Sequence, residues 1–232
     1  HMMRVEIPSD AIDEINKYID ENIVTQDEKF GETAGNTTAN NSLAGGLVGQ
    51  IKNNSKSAQL VFPITDEEEG SIPSQVKTII DQCARTYLKN GHDIDAVVDA
   101  FEAWSVHSYS GDYNPLHDHG TKTPIGLSCI LYLKVPDQIA ALPNPTEEFG
   151  GLNGSSGAID GFTYFNWGTH GMRDFNMLRP ATEEYVKPEV GTLLMFPSWL
   201  RHSVNPFFGE GERRTLSANL NVNKFEELED KI

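Results

Sequence analysis

The sequence predicts a mainly β chain, a sandwich or jelly roll, with α-helices ahead of it. Two observations carry this. From about residue 100 onward the chain breaks into short β-prone runs separated by Gly and Pro clusters. The two segments with clear helical periodicity both lie before that point, and no internal repeat interrupts the order. A length of 232 residues fits one large domain, or one domain with an appendage. We divide it as 1–99, helices and a loop packed on the core, and 100–232, the β core.

The first helix is expected over about Asp10–Asn22, where Ile12, Ile15 and Ile19 fall on one face and Ser9 stands at the N-cap. Residues 25–56 are rich in Asn, Gly, Thr and Ser and read as a long loop, with one short element near Leu43–Ile51. Asp66–Glu69 reads as a solvated acidic turn. The second helix, about Pro73–Asn90, places Val76, Ile79, Ile80, Cys83 and Tyr87 on one face, with Gly91 positioned to end it. The strands follow: Ala103–Tyr109, Gly126–Val135, Phe162–Trp167, Gly191–Phe196 and Thr215–Val222. Two long loops, Pro136–Gly161 and Gly168–Val186, are candidates for a substrate rim, because long loops in a compact domain are often functional.

Acidic residues outnumber basic ones 34 to 18, giving a formal net charge of -16. Nothing in that balance neutralises a phosphate backbone or an anionic membrane surface, so neither nucleic acid nor membrane is an expected partner. No apolar run is long enough to cross a bilayer, no secretory signal is read, and His1-Met2 reads as an expression remnant. Cys83 and Cys129, in different kinds of segment, read as two free buried thiols of a reducing compartment, so the expected location is cytoplasmic.

Three of the seven histidines have informative spacing. In an extended chain residues i and i+2 share a face, so His117 and His119 can offer two imidazoles to one point while Asp118 points elsewhere. His202 follows the β run Leu193–Phe196, and a jelly roll can bring those remote strand ends together. The usual reading of an isolated histidine is a hydrogen-bonded or surface residue. His1 and His92 are read that way, and the spacing of His107 and His170 gives no direction.

The stretches Tyr109–His119 (YSGDYNPLHDH), Leu127–Leu133 (LSCILYL), Val186–Pro206 (VKPEVGTLLMFPSWLRHSVNP) and Gly211–Val222 (GERRTLSANLNV) together resemble the Fe(II)/2-oxoglutarate-dependent oxygenase superfamily. They resemble in particular its prolyl-hydroxylase-like branch and bacterial and phage proteins carrying H-x-H. The resemblance spans about the last half of the chain. It implies a double-stranded β-helix, with Fe(II) held by His117, His119 and His202. It also implies 2-oxoglutarate as small-molecule cosubstrate, O2 consumption, and hydroxylation of a C–H on a peptidyl, protein or small-molecule substrate with release of succinate and CO2. The usual second ligand of the family is a carboxylate, so Asp118 stays open beside His119. A three-imidazole site would be more positive by one unit than a His-His-Asp site.

The resemblance further implies an arginine on the distal carboxylate of 2-oxoglutarate, since a guanidinium fork matches a carboxylate bidentately. Arg213 shares a strand face with Thr215 and suits an R-x-[ST] clamp. Arg214 shares a face with Leu216, Ala218 and Leu220 and reads as packed, yet stays open as the clamp. Tyr132 matches a tyrosine that the branch uses toward the same carboxylate, and Tyr109 precedes the metal pair as tyrosines do there. Ser128 and Cys129 are expected along the pocket, and Phe196 and Trp199 around the distal histidine. Two other functions fit the same residues: a cupin-type three-histidine dioxygenase that does not use 2-oxoglutarate, and a non-catalytic jelly-roll binding module.

Overall fold

In the computed structural model, the described residues are 2–24, 58–121, 123, 125–145, 157–169 and 180–224. They form strands β1 (Met3–Glu6), β2 (Ala58–Phe62), β3 (Ala96–Ser108), β4 (Asn114–His117), β5 (Gly126–Lys134), β6 (Thr163–Asn166), β7 (Glu183–Val186), β8 (Thr192–Pro197), β9 (Arg201–Val204) and β10 (Arg213–Lys224). The helices are α1 (Ser9–Tyr18), continued by a π-helical segment at Ile19–Val24, α2 (Ile72–His92) and the single turn α3 (Asp137–Ala140). Among the described residues no helix is long and apolar enough to cross a membrane.

Antiparallel pairing is nested: β3 with β10, β4 with β9, β5 with β8 and β6 with β7. Such nesting is a long hairpin rolled on itself, a jelly roll. Rolling sorts the strands into a six-stranded sheet, β1-β8-β5-β10-β3-β2, and a four-stranded sheet, β4-β9-β6-β7. β1 and β2 thus extend the same sheet that carries the core strands.

Two cores result. On the outer face of the large sheet, Leu127, Cys129, Leu131, Leu193, Met195, Leu216, Ala218 and Leu220 pack under Ile12, Ile15 and Ile19 of the first helical unit and Val76, Ile80 and Ala84 of α2. Between the sheets lie Ile130, Tyr132, Phe165, Val186, Leu194, Phe196 and Leu200. Both faces of β5 are therefore buried, which explains its continuous apolar run. The alternation along β10 puts Leu216, Ala218 and Leu220 outward and leaves Arg213, Thr215, Ser217 and Asn219 facing in.

The helix limits depart from expectation. Ser9 is the first helical residue and Pro8 the N-cap, with no side-chain cap. α2 runs through Gly91 to His92 and stops at Asp93, which adopts the left-handed conformation (φ 52°). Its N–H donates to the carbonyl of Lys89 (3.1 Å), and the N–H of Ile94 donates to that of Leu88 (3.1 Å). These bonds satisfy the last carbonyls without a glycine. At the other end Ser71 accepts from the N–H of Ser74 (3.3 Å). The acidic turn is only partly solvated, for Asp66 reaches the buried Lys77 (3.1 Å), which also meets Asp81 and Asp99. β1, β2, β4, β7 and β9 are strands the sequence reading does not delimit. β7 lies inside the segment assigned to a loop. The element expected near Leu43–Ile51 lies outside the described residues.

Arg214 fastens the first helical unit to the sheet. It is 3% exposed and donates to Glu212 (2.8 Å), Asn16 (3.2 Å) and Asp20 (2.6 Å). Burial would raise the Glu212 pKa, but bonds from His107 and Arg214 outweigh it and hold the carboxyl down at about 2. His107 Nδ1 bonds Glu212 (2.7 Å) and its Nε2 bonds Ser105 (2.9 Å). This Ser-His-Glu line has the order of a hydrolytic triad, but Ser105 is fully buried (0% exposed). Breaking a buried ion pair leaves an uncompensated charge. Arg214→Met is therefore expected to lower stability by about 3 kcal/mol in urea unfolding; a loss below about 1 kcal/mol would show that the cluster does not fasten the helix.

Candidate metal centre

β4 and β9 set the first two imidazoles. His117 and His202 are direct register partners across this antiparallel pair. His119 lies two residues past the end of β4, its N–H donating to the carbonyl of Ser198 (3.0 Å). The ring centroids are 4.4 Å apart for His117–His202, 5.1 Å for His117–His119 and 5.0 Å for His119–His202. One nitrogen from each ring lies within 4.8 Å of the others. The Nε2 atoms of His119 and His202 are 3.3 Å apart.

The other ring nitrogens fix the donor chemistry. His117 Nδ1–H donates to the carbonyl of Pro115 (2.7 Å), and His202 Nδ1–H to that of Leu200 (3.0 Å). A carbonyl only accepts, so both rings carry a proton at Nδ1 and leave Nε2 as the nitrogen that can serve as a ligand. Burial, and then the neighbouring rings, push the His202 pKa down to about 3. Burial, followed by His117, pushes His119 down to about 4. Neutral imidazoles close enough to share one ion are a donor set that suits a divalent transition metal. Phe196 and Phe165 wall His202, with ring centroids at 5.1 and 5.6 Å, and Trp104 stacks on His119 at 5.6 Å.

Asp118 is turned out of this cluster. It is exposed and faces Arg201 Nε at 3.7 Å. Arg213, 2% exposed, lies on the interior face of β10. Its Nε donates to the carbonyl of Gly161 (3.0 Å) and its Nη2 to Thr163 Oγ1 (3.1 Å), which also shares a hydrogen bond with the Tyr132 hydroxyl (2.7 Å). The guanidinium carbon is 5.3 Å from the Tyr132 ring centroid. Burial lowers the Arg213 pKa and raises that of Tyr132. Among the described residues no carboxylate is paired with Arg213. Thr215, buried, is the register partner of Tyr132. Gly161 is constrained twice: its φ is +71°, and a Cβ there would run into Ile139.

Other expected residues stand elsewhere. Arg214 faces the helices and is taken up by Glu212 and Asp20, so the structure corrects its candidacy as a clamp. Tyr109 has its hydroxyl pKa raised by burial, and the charges around it are Glu212, Arg214, Asp20 and Asp112, not the histidine cluster. Cys129 is in the outer core, where burial pushes its thiol up to about 12, whereas Ser128 faces in and donates to Asn219 (2.7 Å). Trp199 is 56% exposed on the turn before β9. His92 sits against Tyr87 at the end of α2. His170 and parts of both long loops lie outside the described residues. Thr163, Trp104 and Asn219 were not anticipated. Their signal is a polar or aromatic residue on the inward phase of a strand.

A protein-family model for 2OG-Fe(II) oxygenases matches residues 102–219, just over half of the chain. The chain belongs to this family. No curated protein matches it. Among solved structures, this 2OG-Fe(II) oxygenase is similar to a Pseudomonas putida prolyl-4-hydroxylase (13% identity, 97% of this chain and 93% of that one, TM-score 0.52). It is also similar to a Trichoplax adhaerens prolyl hydroxylase in complex with a hypoxia-inducible-factor oxygen degradation domain peptide (13% identity, 100% and 87%, TM-score 0.53). A third is HygX from Streptomyces hygroscopicus with iron bound (10% identity, 95% and 81%, TM-score 0.50). At these identities the likeness shows the jelly-roll fold.

The depressed histidines make a testable link to stability. Folded His202 and His119 stay neutral down to about pH 3 and 4, while an unfolded histidine protonates near 6.5. Below pH 6.5 the unfolded state binds more protons, so stability falls as pH falls toward those values. In metal-free protein, His202→Gln is expected to remove about one proton from that dependence, read as a shallower melting-temperature slope between about pH 6.5 and 4. An unchanged slope would contradict the burial assigned to His202.

Proposed function

We propose that this 2OG-Fe(II) oxygenase hydroxylates a C–H bond, with His117, His119 and His202 holding Fe(II) and Arg213 anchoring the distal carboxylate of 2-oxoglutarate. The observation that carries the reading is a pairing inside one barrel: three imidazoles around one point, and a buried guanidinium facing inward that is paired with no carboxylate among the described residues. When bound, Fe(II) and 2-oxoglutarate supply the oxidation, in which O2 and 2-oxoglutarate convert R–H into R–OH, succinate and CO2.

The chain's own residues bind, orient and exclude. Lone pairs at Nε2 of His117 and His202 are set by the carbonyls of Pro115 and Leu200. Three protein donors leave open positions for the 2-oxo acid group and for O2. Arg213, immobilised by Gly161 and Thr163, offers its remaining N–H groups to the far carboxylate. The Tyr132 hydroxyl and Thr215 lie beside it on the interior face. Phe165, Phe196 and Leu194 pack into the apolar core behind His202 and keep water from that side of it. No protein base is needed to remove the substrate hydrogen.

The substrate is a peptidyl side chain or a small molecule. Two fold relatives are prolyl hydroxylases, one of them with a peptide bound, which supports the peptidyl side. Two buried free cysteines, Cys83 and Cys129, support an intracellular setting. A three-histidine dioxygenase that takes no 2-oxoglutarate would leave the buried charge of Arg213 without a role, as would a non-catalytic module.

Anaerobic addition of Fe(II) and 2-oxoglutarate should produce a visible metal-to-ligand charge-transfer band, and aerobic turnover should release succinate. His202→Ala should abolish both, and Arg213→Met should raise the 2-oxoglutarate KM tenfold or more, as loss of a charge-assisted bidentate contact does. Wild-type protein that binds neither component, or His202→Ala that still makes succinate, would refute the proposal.

A further inference from the structure

The three imidazoles are not supported alike. His117 and His202 each donate from Nδ1 to a carbonyl two residues earlier in their own strand. His119 has no such carbonyl among the described residues. Its Nδ1 faces Asn219 Nδ2 at 3.5 Å, and among the described residues Asn219 is the one polar side chain at that nitrogen.

Asn219 is itself fixed. It is 3% exposed on the interior face of β10. Its register partners are Glu102 on β3 and Ser128 on β5, so the three form one row across the sheet. Ser128 donates to Asn219 Oδ1 (2.7 Å), and Asn219 Nδ2 donates to Glu102 Oε1 (2.7 Å). A bulge follows at once between Asn219 and Leu220, and α2 braces it: the Ala100 N–H donates to Asp81 (2.9 Å). Bulges are a recurrent means of aiming a side chain at a site.

A carboxylate ligand offers equivalent oxygens, but an imidazole binds a metal only when its proton is on the other nitrogen and its ring is held at one angle. An imidazole as the second ligand therefore creates a need that a carboxylate there does not have. We propose that Asn219 is the positioning residue for His119, meeting that need from β10, with Ser128 holding its carboxamide. This rests on the reading of the three histidines as metal ligands. The carboxamide carries a donor and an acceptor on one pivot, and the Ser128 hydroxyl can accept as well as donate. When His119 Nε2 faces a metal, Asn219 turns its oxygen to the Nδ1–H, Ser128 accepts from the amide, and the exposed Glu102 swings toward water. Trp104 holds the ring plane meanwhile.

The test is Co(II) binding by calorimetry, with the absorption spectrum of the Co(II) protein and the melting temperature of the metal-free protein recorded alongside. Asn219→Ala should weaken Co(II) binding tenfold or more, as loss of an outer-shell partner does, and change the Co(II) bands. Asn219→Asp, which retains an acceptor at the same reach, should recover affinity to within a few-fold of wild type. Ser128→Ala should give an intermediate loss, and carries the test if Asn219→Ala does not fold. Wild-type affinity and spectrum in both Asn219→Ala and Ser128→Ala would overturn the proposal. So would equal losses in Asn219→Ala and Asn219→Asp, the mark of a purely structural role. If wild-type protein binds no Co(II), it is the three-histidine reading that fails.

Discussion

The pairing of His117 with His202 across β4 and β9 is the contact on which the centre depends. Two histidines far apart in the chain become neighbours only because the nested hairpin brings β9 back along β4. Strand side chains alternate, so a slip of one residue would turn His202 to the outer face. The register is held by burial behind it. Phe165 pairs with His202 on β6 and, with Phe196 and Leu194, fills the space between the sheets. The large sheet is held in turn by the helices on its other face.

That arrangement places several charges where water is scarce. The protein carries a formal net charge of -16, yet its interior face presents imidazoles and the Arg213 cation. Burying a cation without an anion is unfavourable, and here it is offset only in part by Gly161, Thr163 and the ring of Tyr132. On the opposite face Arg214, the next residue, is fully compensated by Glu212 and Asp20. Neighbouring arginines thus have opposite electrostatic fates because strand alternation sends them to different sides.

Much of this was legible in the sequence, and for identifiable reasons. Alternation along Arg213–Leu220 puts the two arginines on opposite faces, and i, i+2 spacing joins His117 to His119 while the family's usual carboxylate ligand keeps Asp118 open. The helices at 10–22 and 73–90 came from apolar periodicity, with ends misplaced by a few residues. Asp93 can take the left-handed conformation that Gly91 was expected to supply. The short strands β1, β4, β7 and β9 escaped, because four residues are too few for a period to declare itself and pairing, not propensity, makes them strands. Tyr109 and Cys129 were drawn toward the pocket by nearness in sequence. The fold turns one to the charged cluster at Arg214 and the other to the outer core. Thr163 and Asn219 could not be singled out, since their partners come from remote strands.

His119 stands beyond the last ladder pair of β4, tethered by its single backbone bond to Ser198. Its side chain is consequently free of the hydrogen-bonding pattern that builds the sheet. An imidazole and a carboxylate at this spot would differ by one unit of charge while standing equally outside the strand ladder. The choice of side chain at this position is thus decoupled from the pairing that builds the sheet.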